Sequence, residues 1–394
     1  MADSVAQSTT CALCGKIFKY RSHLQKHNQR KTPCAIRAPI SQDRNLAQSA
    51  ESGLEEKLSR LSLASREDIH PPLKWLGGKS QILEEIIGAF PENFISTFLA
   101  NHFAYREPFL GGGSVLIGFL QRIRSNGIIA DYQNRANGRI FASDINPHLI
   151  NFYKCIQVGL PAFVDALRQI ANEFSDCPDI AEAQMVNAKA AAAKQSKDEY
   201  YYAIRDRFNE NAEGSTPPGE RIGDGANHAA QFYFLNHIGF RGVYRENSSG
   251  KFNVPYGHYK NAILISGEIE ENFRRLSELF QPVIFSVRQF DAAIQDATAG
   301  DFIYLDPPYV QENATSFTSY SAAGFNDTTH QRLFDMIHVC SDKKIRVLLS
   351  NSATKKVCDA FVNDARFRIR EIICRRAINS QNPAATAREL LISN

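Results

Sequence analysis

The stretch Asp301-Phe-Ile-Tyr-Leu-Asp-Pro-Pro-Tyr309 constrains this chain more than any other. Phe302 to Asp306 read as a buried strand, and Pro307-Pro308 ends it abruptly. Two successive prolines fix φ and remove two backbone donors, so the turn is stiff and its carbonyls stay available as acceptors. Asp306 then stands at the carboxyl end of a strand, where open α/β sheets carry their chemistry. An acceptor-only carboxylate, a free carbonyl and the π-face of Tyr309 together suit a planar base bearing an exocyclic amine.

A strand of this kind needs neighbours, and the sequence supplies them. Glu107-Pro-Phe109-Leu-Gly111-Gly112-Gly113-Ser114 reads as a strand end, a glycine turn and a helix over Val115–Arg124. Such a turn lets a nucleoside-type ligand approach the backbone and the helix N-terminus. Leu116 breaks the Gly-x-Gly-x-x-Gly pattern, which disfavours a dinucleotide. Arg139 to Asn146 forms a second strand ending in Asp144, the expected partner of ribose hydroxyls. Upstream, Pro72-Leu-Lys-Trp75-Leu-Gly77-Gly78-Lys79-Ser80 holds the only tryptophan, a glycine pair for close backbone approach and a cation, with a helix expected over Gln81–Phe90. It is no P-loop, because Leu73 stands where the first glycine is required. Further strands are expected at Pro282–Val287, Arg346–Asn351, Phe367–Cys374 and Glu389–Asn394. The fold class is therefore α/β.

Between these halves the sequence is mostly helical, with a loop expected over Asn211–Asn227, which has two prolines and four glycines. Phe234 to Gly257 follows. Its two short apolar runs around Asn247-Ser-Ser-Gly250 read as a β-hairpin. Exposed Arg, Asn and aromatic side chains there are what base reading requires: a forked donor for guanine and an apolar wedge.

At 394 residues the chain is long enough for two or three domains. A net charge of +3 says little until it is mapped. Residues 1–45 carry eight Lys/Arg against Asp3 and Asp43, a local +6, which leaves −3 for the rest. Basic charge at the front suits a module that contacts phosphates. In the same region, Cys11-x2-Cys14, Phe18, Leu24 and His27 carry the first three ligands and the two core hydrophobes of a small zinc finger. No second His follows at the usual spacing, so Cys34 is the expected fourth ligand, with His23 as the competing one. The segment resembles a Cys-Cys-His-Cys variant of the classical zinc finger and has a basic helix. That helix suits DNA or RNA contact, or a purely structural or protein-docking role. Leu54, Leu58 and Leu61 suggest one short helix in the linker that follows. The scattered Cys155, Cys177, Cys340, Cys358 and Cys374 read as small core hydrophobes with reduced thiols. No apolar run approaches a membrane span and the N-terminus lacks a signal-peptide layout, so an intracellular, non-secreted protein is expected.

From about residue 72 to 394 the chain resembles the Dam-type DNA adenine-N6 methyltransferases, whose motifs occur here in the family's order: Leu-Lys-Trp-x-Gly-Gly-Lys, Glu-Pro-Phe-x-Gly-x-Gly-Ser, the Asp144-Ile-Asn strand, a target-recognition stretch, then Asp-Pro-Pro-Tyr. The resemblance implies a Rossmann-like, S-adenosylmethionine-dependent methyltransferase domain with a helical and hairpin target-recognition insertion. It implies cofactor binding by Trp75, Lys79, Phe109, Asp144 and Asp306, with the Gly111–Gly113 loop beneath, and catalysis by Asp306, Pro307 and Tyr309. It also implies GATC as the target, read by Arg245 at guanine, Phe240 as a wedge, and Val243 and Pro255 near thymine. Arg241 and Glu246 are candidates for setting flanking preference, and Asn247 belongs to the same exposed set.

The expected organisation is a zinc finger over 1–36, a linker with a short helix over 37–69, a catalytic domain from 70–154 and 283–394, and a target-recognition region over 155–282. The expected partner is double-stranded DNA, with a cognate restriction endonuclease as a candidate second partner and no membrane. Two other readings remain open from sequence. One is a non-catalytic DNA-binding protein of the same fold. The other is a cytosine-N4 or RNA methyltransferase, although cytosine-N4 enzymes usually carry Ser where Asp306 stands.

Overall fold

The computed structural model of the chain describes residues 21–28, 69–126, 129–179, 195–212, 222–259, 261–310, 325–375 and 386–394. The chain divides into two units, Met1–Asp68 and Ile69–Asn394. In the first, the described element is the helix Arg21–Asn28, which carries His27. Cys11, Cys14 and Cys34 lie outside the described residues, as do Leu54, Leu58 and Leu61 of the linker.

The second unit is built on a seven-stranded sheet of order β3-β2-β1-β4-β5-β7-β6. The strands are β1 Tyr105–Glu107, β2 Ile140–Asp144, β3 Val283–Val287, β4 Phe302–Leu305, β5 Arg346–Ser352, β6 Arg368–Arg375 and β7 Thr386–Ser393. β7 runs antiparallel to both its neighbours, and β1 to β5 pair in parallel. The central strands β1, β4 and β5 are buried without alternation because both faces are covered. In β4, Phe302 and Tyr304 enter one core, while Ile303 and Leu305 enter the core on the opposite face.

The order reverses between β1 and β4. The chain winds outward through β2 and β3, returns to β4 and continues outward the other way. A crevice opens outside the carboxyl ends of the strands at such a switch point. The opposite ends are tied by buried Arg106, whose Nε lies 3.2 Å from Asp301 Oδ2, and by the Ala104 N–H, which donates to Asp301 Oδ1 at 2.8 Å.

Several sequence expectations shift here. β4 ends at Leu305, so Asp306 lies just past the strand. The helix expected over Gln81–Phe90 is a 3-10 turn, Ser80–Ile82, followed by Leu83–Ile87. The loop expected over Asn211–Asn227 is helical at both ends: α1 (Lys197–Ala212) contains its first two residues, and α2 (Ile222–Ile238) contains its last six. Gly223 and Gly225 misled, because Asn151 Nδ2 donates to the Gly225 carbonyl and that helix packs tightly. The expected hairpin at 234–257 lacks ladder strands. It is a 3-10 turn at Phe240–Gly242 and a bend held by two isolated bridges, Gly239 with Tyr256 and Glu246 with Phe252. The recognition region also has no core of its own: Phe208, Phe232, Tyr244 and Phe252 join the same apolar cluster as Tyr105 and Phe302.

Candidate functional site

Each side chain at the sheet mouth is placed by a local device. Asp306 follows β4, and the loop after it is clamped at three points. The His330 ring donates from Nε2 to the Pro308 carbonyl at 2.9 Å, Asn351 Oδ1 accepts the Val310 N–H at 3.1 Å, and Ser352 Oγ donates to the Val310 carbonyl at 2.7 Å. Asn351 and Ser352 come from the end of β5, so the neighbouring strand fixes the Pro-Pro turn. Among the described residues no donor reaches the Pro307 carbonyl.

Lys79 is buried and its ammonium sits 2.7 Å from Asp306 Oδ2, 2.6 Å from the Gly77 carbonyl and 5.0 Å from the centre of the Tyr309 ring. The pairing leaves Asp306 Oδ1, which is shielded from solvent and has no partner among the described residues. Burial pushes the Asp306 carboxyl up to about 6, with the Lys79 charge pulling the other way. Tyr309 donates its phenol to Glu389 Oε2 at 2.8 Å, which fixes the ring from the antiparallel strand β7. Burial and the charges of Asp306 and Glu389 raise the Tyr309 phenol well above its ordinary value, so it stays neutral.

On the other side of the switch point, Glu107 ends β1 fully buried and accepts the Tyr105 hydroxyl at 2.6 Å. Burial, with the Asp306 charge adding, pushes it up to about 8. Asp144 ends β2. Its Oδ2 accepts the Gly111 N–H at 3.1 Å and its Oδ1 accepts the Asn146 N–H at 3.0 Å. Burial raises this carboxyl too, against those backbone donors. Asn146 then caps the helix Pro147–Val158 by accepting from His148 and Leu149. Asp144 therefore fastens the glycine turn to β2.

The glycine turn has its own structural reason. A Cβ at Gly111 or Gly112 would meet the Trp75 side chain at 3.0 Å, and one at Gly113 would meet Tyr153 Oη at 2.9 Å. Gly111 and Gly113 also have positive φ, 49° and 70°. Phe109, after β1, stacks on Phe290 with ring centres 5.5 Å apart and meets Phe325 edge-on at 5.8 Å.

The sheet topology thus brings Lys79, Asp306, Tyr309, the Gly111–Gly113 turn and Asp144 to one mouth, and Trp75 lies over the turn. Lys79 is spent on Asp306 and Gly77 more than the sequence suggested. The residues that sequence reading left without a role are Glu107, Tyr153, His330, Asn351 and Glu389. Glu107 lay inside a quoted motif, but its burial was not legible. Glu389 is 80 residues from Tyr309, and no local spacing marks it.

The recognition stretch alternates. Tyr244, Phe252, Val254 and Tyr256 are buried, while Val243, Arg245, Asn253 and Pro255 face outward to varying degree. Arg245 is held by Asn253: Nε donates to Oδ1 at 2.7 Å and one terminal nitrogen donates to the carbonyl at 3.3 Å. The other terminal nitrogen and one remaining hydrogen still form a fork. Asn247 Oδ1 accepts the N–H groups of Ser249 and Lys251, so its oxygen builds the turn. Phe240 is 49% exposed, and Arg241 beside it adopts φ 59°, an uncommon conformation for a non-glycine residue.

Among the described residues no helix is long and apolar enough to cross a membrane, and no group of three metal-ligating side chains is found. The family profile described as D12 class N6 adenine-specific DNA methyltransferase matches residues 75–378. A type II methyltransferase of Methanocaldococcus jannaschii is 31% identical over 330 residues, 83% of this chain and 99% of that protein. The DNA adenine methylase of Haemophilus influenzae is 30% identical over 79% of this chain and 88% of its own length. That of Escherichia coli K12 is 26% identical over 78% and 88%.

The glycine turn yields a paired test. Gly113→Ala should lower stability by about 1–3 kcal/mol, from the positive φ and the Tyr153 clash. The Tyr153 hydroxyl also donates to the Gly111 carbonyl at 3.1 Å, so the loss caused by Gly113→Ala should be smaller in a Tyr153→Phe background than in the native one. Urea unfolding midpoints of the two single variants and the double variant measure this, and an equal loss in both backgrounds would refute the clash.

Proposed function

The chain belongs to the D12 class N6 adenine-specific DNA methyltransferases, and we propose that it methylates the adenine of GATC in duplex DNA through Asp306, Pro307 and Tyr309. When bound, S-adenosylmethionine supplies an electrophilic methyl group on a sulfonium. The unpartnered, buried Asp306 Oδ1 is the observation that carries the catalytic reading. Such an acceptor fits the amine of a base, and the Pro307 carbonyl is the second acceptor beside it.

The chemistry follows from the amine. Adenine N6 is a poor nucleophile because its lone pair is delocalised into the ring. With the base flipped out of the duplex and laid on the Tyr309 ring, Asp306 and Pro307 accept the two N6 hydrogens. The lone pair is then localised and aimed out of the ring plane. Glu389 keeps the tyrosine ring in place, and Lys79 keeps Oδ2 occupied so that Oδ1 faces the amine. After transfer, N6 sheds one proton, and a carboxylate lifted to about 6 is a better acceptor for it than an ordinary aspartate. Orientation and preorganised electrostatics supply the acceleration. Toward the cofactor, Asp144 offers its carboxylate to ribose hydroxyls, and Trp75, Phe109 and the Gly111–Gly113 turn line the same mouth.

GATC rests on the resemblance of the 234–257 stretch, supported by where its residues lie. Arg245 keeps a fork of donors for guanine O6 and N7, and Val243 and Pro255 share its outward face. Phe240 is an exposed apolar wedge on a tight turn. The relative from Methanocaldococcus jannaschii is named a type II methyltransferase, which keeps a cognate endonuclease as the candidate second partner. At the N-terminus, Cys11, Cys14, His27 and Cys34 are proposed to hold one zinc as an accessory DNA anchor.

Four measurements test these readings. Sequencing of duplex DNA treated with the enzyme should find N6-methyladenine at GATC. Asp306→Ala should reduce incorporation by at least about 10³-fold with the fold intact, and near-native turnover by that variant would sink the assignment. The pH profile follows from the carboxyl lifted to about 6. The acceptor must be ionised, so kcat/KM should fall tenfold per pH unit below about 6. Lys79→Met removes the opposing cation and should move the inflection upward; a downward move would contradict the pairing. The full-length chain should contain one zinc per molecule, lost in Cys34→Ser; metal analysis finding no zinc would dismiss the finger.

A further inference from the structure

We infer that Asn236 is a positioning residue that couples the recognition turn to the cofactor loop, so that target reading is transmitted to Trp75. The inference rests on the assignment of residues 240–257 to DNA reading.

Asn236 lies near the end of α2, buried, in neither the cofactor motif nor the recognition turn. Its carboxamide is fully used. Oδ1 accepts the Lys74 N–H at 2.9 Å, and Nδ2 donates to the Lys74 carbonyl at 2.8 Å and to the Gly242 carbonyl at 3.1 Å. One side chain thus saturates both backbone groups of Lys74, as a strand partner would, and holds the recognition turn with its remaining hydrogen. Buried polar groups of this kind are costly to leave unpaired, which makes the arrangement all-or-none.

Packing repeats the link independently. Gly242 has φ 64°, and a Cβ there would meet the Lys74 side chain at 2.6 Å. The recognition turn therefore sits directly on Lys74. The next residue, Trp75, stacks on Tyr244 with ring centres 5.9 Å apart and an interplanar angle of 21°. It also packs against Phe232, with ring centres 6.5 Å apart, and against the glycine turn, at 3.0 Å from ideal Cβ positions on Gly111 and Gly112. The route runs from Gly242 through Asn236 and Lys74 to Trp75 and the cofactor turn, with Tyr244 closing it from the recognition side. A shift of the Phe240–Gly242 turn on binding its site moves Lys74 and hence Trp75.

Trp75 is the chain's only tryptophan, so its emission reports this joint. The experiment uses the full chain and a short duplex with one GATC site, or the same duplex with one base pair changed. In the native enzyme, the GATC duplex should shift Trp75 emission without cofactor, and the altered duplex should do so at least fivefold less. Asn236→Ala should abolish most of the shift while duplex affinity stays within about threefold. Its single-turnover preference for GATC should drop at least tenfold. A merely structural role would lower both rates in proportion and leave their ratio alone. Tyr244→Leu interrupts the same route at the stack and should give the same pattern, so either folded variant decides the question. An unchanged emission response and unchanged preference in the folded variant would overturn the coupling. Arg245→Ala separates the two ideas. If it leaves the GATC preference intact, the recognition assignment fails; if it destroys that preference while Asn236→Ala does not, only the coupling fails.

Discussion

Everything at the sheet mouth depends on keeping a carboxylate ionised where water is scarce. Burial alone drives Asp306 toward its neutral form, and Lys79 is the group that opposes it. An uncompensated partner in such a pair costs about 3–5 kcal/mol. The loop that delivers Lys79 is thereby pinned to the loop that carries Asp306, although 227 residues separate the two positions. Asn351, Ser352 and His330 then fix the backbone on the far side of the prolines, and Glu389 fixes the tyrosine. The sheet's reversal between β1 and β4 makes these contacts geometrically possible, because it sets the two strands side by side while their following loops leave in opposite directions.

The recognition region gains its rigidity by sharing the catalytic core. Phe208, Phe232, Tyr244 and Phe252 are buried in the same cluster as the strands. Its bend contains only two bridges, too few to hold a free hairpin in water. Asn209 compensates: it accepts the Phe252 N–H at 2.8 Å and donates to the Phe252 carbonyl at 3.1 Å. The turn held in this way keeps Phe240 exposed and Arg241 at a positive φ.

Much of this was legible in sequence, and the limits are physical. The parallel strands declared themselves because both faces are buried, so β4 reads as an unbroken apolar run and β5 has one at Val347–Leu349. Asp144, Asp306 and the glycine turn could be placed from sequence because each sits at the end of a strand whose pattern is local. The purpose of the glycines was harder to read. A flexible turn suggested room for a ligand, whereas Trp75 and Tyr153 occupy the space that side chains at those positions would fill. The Asn211–Asn227 loop misled because glycine and proline content outweighed tertiary packing, which turned its last six residues into a helix. Glu389, Asn236 and Asn351 had no signature. Each makes a contact set by topology, with a residue 41 to 162 positions away.

The charge balance of the mouth explains why a sulfonium is a suitable guest. Glu107, Asp144, Asp306 and Glu389 gather there, and Lys79 is the cation that the described residues place among them. With Glu107 lifted to about 8, that acid is mostly protonated near neutral pH, which spares the site one unfavourable charge. Asp306 sits lower, at about 6, because Lys79 faces it. A positive charge brought near both acids favours their ionised forms and lowers both values. A bound sulfonium therefore helps to keep Asp306 in its ionised form. The protein pays for burying acids at the sheet mouth, and binding a cation returns part of that cost where the reaction needs it.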